Sequence, residues 1–172
     1  MSLERLWAGW RRPYVESAGD EDGEAECVFC RILASDEPGD ETYVVWRDDV
    51  SAAILNAYPY SSGHLMVMPV RHVGELEDLS EEEGVAIWRG VTRAVRALKD
   101  AYHPHGINVG VNLGRPAGAG LPGHFHVHAL PRWSGDTNFM TTVAETRVLP
   151  ESLPITYQKV RAAWPRQEDG TP

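Results

Sequence analysis

Apolar and polar positions change rhythm several times along this chain. In YVVWRDD (43–49) and SAAILNA (51–57), short apolar runs flank Asp48-Asp49, the pattern of two strands joined by a tight turn. HLMVMPV (64–70) is apolar almost throughout, which suits a strand covered on both faces. After Ser80 the rhythm becomes helical. Val85, Trp88, Val91, Val95 and Leu98 recur three or four residues apart and predict one core-facing stripe. Ser80, with Glu83 three residues on, has the form of a capping box, and His103-Pro104 ends the helix. INVGVNLG (107–114) alternates apolar with small or polar residues, as a strand does, and HFHVHALPRW (124–133) reads as another. CVFCRILAS (27–35) suits a short helix or knuckle, and residues 151–164 a last helix whose start is limited by Pro154.

Strands joined by hairpins or by the single long helix predict an α+β fold. The sheet is five-stranded and mainly antiparallel, with one long helix and a C-terminal helix. The folded domain is expected over 27–165. It follows a Trp- and Arg-rich arm (1–15) and an acidic segment, ESAGDEDGEAE (16–26), with too few apolar residues to pack; a polar tail (166–172) follows it.

The length, 172 residues, fits one domain with its own core, and 42% apolar with 24% charged residues fits a globular chain. No apolar run is long enough to span a membrane, and the N-terminus lacks the pattern of a secretion signal, so the cytoplasm is expected. The formal charge of −9 argues against general nucleic-acid binding. It does not exclude a small anion, because a site is set by local charge. Arg71, Arg115 and Arg132 sit beside the motifs below, and each also reads as an ordinary surface arginine.

Three of the seven histidines, His124, His126 and His128, stand at alternate positions. On a strand they share one face, while Phe125, Val127 and Ala129 face the core. Three adjacent imidazoles are costly to bury without partners. Either two of them bind a catalytic metal with a ligand from elsewhere, or one is a nucleophile toward phosphorus while its neighbours contact phosphate oxygens. The loop Gly118-Ala119-Gly120 runs into the triad and can offer backbone N–H groups to a phosphate. His103 and His105, in YHPHG, read as surface residues at a helix end. Cys27 and Cys30 form a CxxC that can be half a zinc site, a redox pair or two buried thiols.

HFHVHALPRW resembles the signature of the histidine-triad (HIT) superfamily of nucleotide hydrolases and transferases. NAYPYSSGHLMVMPVRHV resembles the first half of that fold, and INVGVNLG the strand that supplies an asparagine beside the phosphates. The resemblance spans about Cys27 to Met140, and LWAGWRRPYV and PRWSGDTNFM resemble the bacterial diadenosine tetraphosphate phosphorylase-like branch. It implies His126 as nucleophile toward the α-phosphorus, His128 on the phosphate oxygens and Asn56 at the ribose. His64 and Asn112 would border the phosphates, Gly118, Ala119 and Gly120 would supply N–H donors, and Trp133 would either line the nucleotide pocket or pack. In zinc-carrying members, a CxxC, a histidine after the second of these strands and the first triad histidine form a closed structural site; here these are Cys27, Cys30, His72 and His124.

The implied activity is cleavage of a dinucleoside polyphosphate through a nucleotidyl-histidine, with inorganic phosphate or water as acceptor. Mg²⁺, where present, would arrive with the substrate. Hydrolysis of phosphoramidates or acyl-adenylates, and nucleotide binding with little catalysis, are the alternatives. The family also implies a homodimer through the long helix and a strand edge. One departure stands out: many members carry Gln followed by Ser or Thr in the loop before the triad, where this chain has Gly120-Leu121-Pro122.

Overall fold

β1 (Val44–Arg47) and β2 (Ser51–Leu55) form the hairpin that the apolar runs predict. Asp48 builds its turn, accepting the backbone N–H groups of Val50 and Ser51 on Oδ1 at 2.9 and 2.7 Å. β3 (Leu65–Pro69) follows, and like β2 it is buried at every residue. The sheet is completed by β4 (Gly106–Val111) and β5 (Val127–Arg132) in the order β1-β2-β3-β5-β4, with every neighbouring pair antiparallel. In this computed structural model residues 27–35, 39–136 and 151–165 are described; the arm (1–15), the acidic segment (16–26) and the tail (166–172) lie outside them.

Helices cover the sheet unequally. α1 (Val28–Ala34) and the short α2 (Gly39–Thr42) precede β1. α3 (Glu81–Tyr102) crosses from β3 to β4, and α4 (Leu153–Ala163) packs beside α3. The capping box is present, with the Ser80 side chain bonded to Glu83 N–H and the Glu83 carboxylate to Ser80 N–H.

The core-facing stripe of α3 differs from the expected one. Val91 and Leu98 are buried and Val95 partly so, but Val85 is 46% and Trp88 60% exposed. Each step of three residues turns about 300°, about 60° short of a full turn, so the series Val85, Trp88, Val91 walks off the face. The buried arc is Ile87, Gly90, Val91, Ala94, Ala97 and Leu98. Its small residues let the helix sit close: a Cβ on Gly90 would come within 2.8 Å of Val67 Cγ1.

Two apolar layers flank the sheet. The α3 side holds Leu65, Val67, Phe125, Val127 and Ala129; the other holds Ala52, Ile54, Met66 and Met68 against Phe29 and Leu33 of α1. This second layer is the floor of the site.

Candidate functional site

β5 begins only at Val127, three residues after the first triad histidine. Ahead of that ladder, Phe125 N–H bonds to Val73 O at 2.6 Å and holds the same alternation. Phe125, Val127 and Ala129 therefore enter the α3 layer, while His124, His126 and His128 turn to the α1 side, each at most 7% exposed. His126 and His128 line a cavity of about 580 Å³. Its apolar walls are Val28, Phe29, Ile32, Ile54, Leu55 and Met66; Tyr43, Tyr58, Tyr60, Asn56 and Glu41 also line it, as do Arg115, Gly118 and Gly120.

Hydrogen bonds fix the ring tautomers. A carbonyl oxygen only accepts, so His126 Nδ1, 2.8 Å from His124 O, carries the proton and the lone pair falls on Nε2. Burial holds the His126 pKa below its ordinary value, so the ring is neutral and this lone pair is available at neutral pH. His64 is set the opposite way. Its Nδ1 accepts Tyr60 N–H at 3.2 Å and lies 3.3 Å from Asn56 Nδ2, whose amide is oriented by Tyr58 N–H donating to Asn56 Oδ1. The His64 proton is therefore on Nε2, which donates to His128 Nδ1 at 2.9 Å. That leaves the His128 proton on Nε2, and His128 meets a bound anion as a donor. One cavity thus carries a nitrogen with an open lone pair and a donor nitrogen on rings 4.9 Å apart.

His124 faces a second cluster. Its Nε2–H donates to Pro69 O at 2.9 Å, so the Nδ1 lone pair points at sulfur, 3.4 Å from Cys27 Sγ and 3.5 Å from Cys30 Sγ. His72 Nδ1 lies 3.3 Å from Cys30 Sγ, and all four ligand atoms fall within 4.8 Å of one another. Two ligands of one tetrahedral Zn²⁺, bound at about 2.3 and 2.0 Å, stand about 3.5 Å apart, so the cluster has the size such an ion requires. Both cysteines are free thiols, and burial pushes the His124 pKa down to about 4, so its ring stays neutral, as a metal ligand must be. Cys27, Cys30, His72 and His124 can therefore hold a metal ion. Phe29, between the cysteines in sequence, stands edge-on to both His124 (5.5 Å) and His126 (5.3 Å) and divides the two clusters.

The glycine loop lies at the mouth of the cavity. Gly114 (φ 74°) and Gly118 (φ 99°) adopt backbone that side chains rarely allow, and between them Arg115–Ala117 make one tight turn. Gly118 N–H bonds to Arg115 O, Ala119 N–H to Gly114 O, and Asn112 Nδ2 to Gly118 O at 3.4 Å. Asn112 therefore braces the loop rather than lining the cavity, and Ala119 is buried beneath it. His64 is also behind the wall, 1% exposed, and acts through His128.

Trp133 is not brought to the cavity: it packs edge-on against Tyr102 at 6.0 Å. It follows the last residue of β5, and five residues of strand beyond His128 is about 16 Å. The three arginines separate in the same way. Arg71 grips the Glu83 carboxylate through two bonds of 2.8 Å, and Arg132 bonds to Asp136 and Asn108, while Arg115 lines the cavity. His103 caps α3 in left-handed backbone, and His105 Nδ1 accepts Ser134 N–H; both lie outside the site. Sequence reasoning missed Tyr60, whose contribution is a backbone N–H with no side-chain signature. It also missed Phe29, which the CxxC spacing could have indicated: cysteines turned toward His124 carry the residue between them to the triad.

Residues 38–135 match the HIT domain family. The chain belongs to the histidine-triad family. It is 42% identical over 171 residues to the AP-4-A phosphorylase of Mycobacterium tuberculosis, covering 96% of this chain and 86% of that one. It is 30% identical to protein hit of Bacillus subtilis over 66% of this chain and 75% of that one. Among solved histidine-triad structures, a Zn-bound family member from Mycobacterium smegmatis superposes with TM-score 0.66 at 29% identity, covering 82% of this chain and 94% of the other. A hypothetical histidine-triad nucleotide-binding protein from Sulfolobus tokodaii gives TM-score 0.65 at 30% identity, with 80% and 91% covered. The five-stranded antiparallel histidine-triad fold is thus shared with them, and the chain is an enzyme of histidine-triad type.

Proposed function

We propose that the protein cleaves a phosphoanhydride bond of a dinucleoside polyphosphate of the diadenosine tetraphosphate type, through a nucleotidyl-His126 intermediate. The observation that carries this reading is the pair of opposed tautomers: a lone pair on His126 Nε2 beside a proton on His128 Nε2, in one cavity. His126 Nε2 attacks the α-phosphorus, the N–P bond forms as the anhydride P–O bond breaks, and ATP leaves as an anion. An oxygen of inorganic phosphate or water then attacks the same phosphorus, and the N–P electron pair returns to Nε2. With HPO₄²⁻ as acceptor the product is ADP, whose extra proton passes to solvent. His128 N–H and the Gly120 amide would carry the charge on the α-phosphate oxygens, while the N–H groups of Gly118 and Ala119, expected as donors, are turned inward to Arg115 O and Gly114 O and shape the loop instead. Asn56 would meet the ribose, the apolar wall from Val28 to Ile32 the base, and His64 and Asn112 would act as supports.

The metal is read as structural zinc, held by Cys27, Cys30, His72 and His124, where it would join α1, the segment after β3 and the lead into β5. Glu41 is the one carboxylate among the described residues lining the cavity, so Mg²⁺ would be carried by the polyphosphate. A homodimer over the edge strand β4 and the outer flank of α3 belongs to the same reading; exposed Val109, Val111, Leu113, Val85 and Trp88 support it. Among the described residues no helix is long and apolar enough to cross a membrane, and the free thiols of Cys27 and Cys30 fit the reducing cytoplasm.

The test is incubation of the purified protein with diadenosine tetraphosphate, with and without inorganic phosphate, followed by product separation. ADP plus ATP, dependent on phosphate, is the expected outcome. AMP plus ATP without phosphate makes water the acceptor. No turnover under either condition overturns the substrate class and turns attention to phosphoramidates.

A further inference from the structure

We infer that Arg115 is the binding residue for the acceptor phosphate, and that it makes phosphate rather than water the group that resolves the nucleotidyl-His126. This rests on the proposed function and specifies its second half. Resolution by phosphate brings two anions together: the nucleotidyl phosphate, held by neutral imidazole and backbone N–H groups, and the incoming HPO₄²⁻. Water needs no such help. A second phosphate needs a permanent cation at short range, and arginine, with its planar fork of donors, is the side chain best suited to hold one.

The cavity offers one. Arg115 is the single Lys or Arg among the described residues lining it, in a chain of net charge −9. It is half-buried and shares the wall with Gly118, Gly120, His126 and His128. Its backbone is tied to the phosphate loop: Gly118 N–H bonds to Arg115 O at 2.9 Å, and Pro116 fixes the turn. The loop itself presents no side-chain hydroxyl or amide at Gly120-Leu121-Pro122, so the cation on the adjoining turn is the polar side chain this part of the mouth supplies. Arg71 and Arg132 lie outside the cavity, bonded to Glu83 and Asp136. In the resolving step a phosphate oxygen forms the new O–P bond, the N–P bond breaks, and its electron pair returns to Nε2 of His126. The guanidinium exchanges no proton; it holds the acceptor in line.

The experiment has two arms, on wild type, Arg115→Gln and Arg115→Lys. In steady state with diadenosine tetraphosphate, Arg115→Gln should raise KM for phosphate about ten- to a hundredfold, with a much smaller change in KM for the dinucleotide. It should also shift product from ADP toward AMP, and Arg115→Lys should recover part of the loss. A rise confined to KM for the dinucleotide would assign Arg115 to the leaving polyphosphate and overturn the inference. The second arm needs no turnover: calorimetric titration of the AMP-saturated protein with inorganic phosphate. Binding weakened by the same factor in Arg115→Gln supports the assignment even if diadenosine tetraphosphate proves not to be the substrate. Equal binding in wild type and Arg115→Gln overturns it.

Discussion

The two histidine clusters draw on alternate residues of one short segment, 124–128, yet they are prepared for opposite tasks. At His124 a carbonyl, Pro69 O, takes the Nε2 proton and frees Nδ1 toward two sulfurs. Two residues on, another carbonyl, His124 O, takes the Nδ1 proton of His126 and frees Nε2 in the cavity. At His128 the sense reverses again, because His64 donates to Nδ1 and leaves the proton on Nε2. Residue type and spacing are the same at all three positions. The partner of one ring nitrogen decides whether the other offers a lone pair or a proton.

Substitutions at the two ends should therefore fail differently. His126→Asn removes the nitrogen proposed to attack, and turnover should fall by about four orders of magnitude or more while nucleotide affinity changes only a few-fold. Steady-state kinetics with equilibrium binding checks this, and substantial residual turnover would remove His126 from its role. Cys30→Ser, or treatment with a strong chelator, acts on the other end. The melting temperature should drop by about 10 °C or more, because metal binding is coupled to folding, whereas His126→Asn should move it little. An unchanged melting curve after chelation would break the contrast.

His64→Ala tests the link behind the cavity. With its partner gone, His128 is free to change tautomer, and kcat/KM should fall about ten- to a hundredfold with a small change in stability. The smallest effect belongs to a pair outside both clusters. The Arg71 guanidinium beside Glu83 holds that carboxyl well below its ordinary value, at about 2. A depressed carboxylate stabilises the fold above its unfolded pKa, near 4.5, and loses that contribution as pH falls toward 2. The melting-temperature difference between wild type and Glu83→Gln should thus be full at pH 7 and shrink below about pH 4.5. A difference that does not vary with pH would mean that the ion pair contributes nothing.

Much of this was legible in the sequence, and the exceptions have physical causes. The strands followed from apolar runs broken by Asp48-Asp49, and the start of α3 from Ser80 and Glu83, because these are local rules. The stripe on α3 was misplaced at Val85 and Trp88 because steps of three drift around a helix. The alternation at 124–128 fixed which side chains share a face, but not which nitrogen each ring offers. That depends on Tyr60 N–H, Pro69 O and His124 O, backbone groups that leave no trace in residue identity. The union of Cys27 with His124 spans 97 residues, and only the resemblance to a family made it visible. Arg71, Arg115 and Arg132 were alike in sequence, and their places in the fold told them apart: Arg115 lines the cavity, and the other two do not.

The central claim is that Nε2 of His126 forms a bond to phosphorus. It is tested most directly by a rapid alkaline quench of the protein turning over diadenosine tetraphosphate labelled in the α-phosphate, followed by digestion and mass spectrometry; phosphorus–histidine bonds survive base and not acid. The account predicts an adenylyl adduct on His126, absent in His126→Asn and discharged as ADP when inorganic phosphate is added. An adduct on any other residue, or turnover without an adduct at any time point, would contradict it.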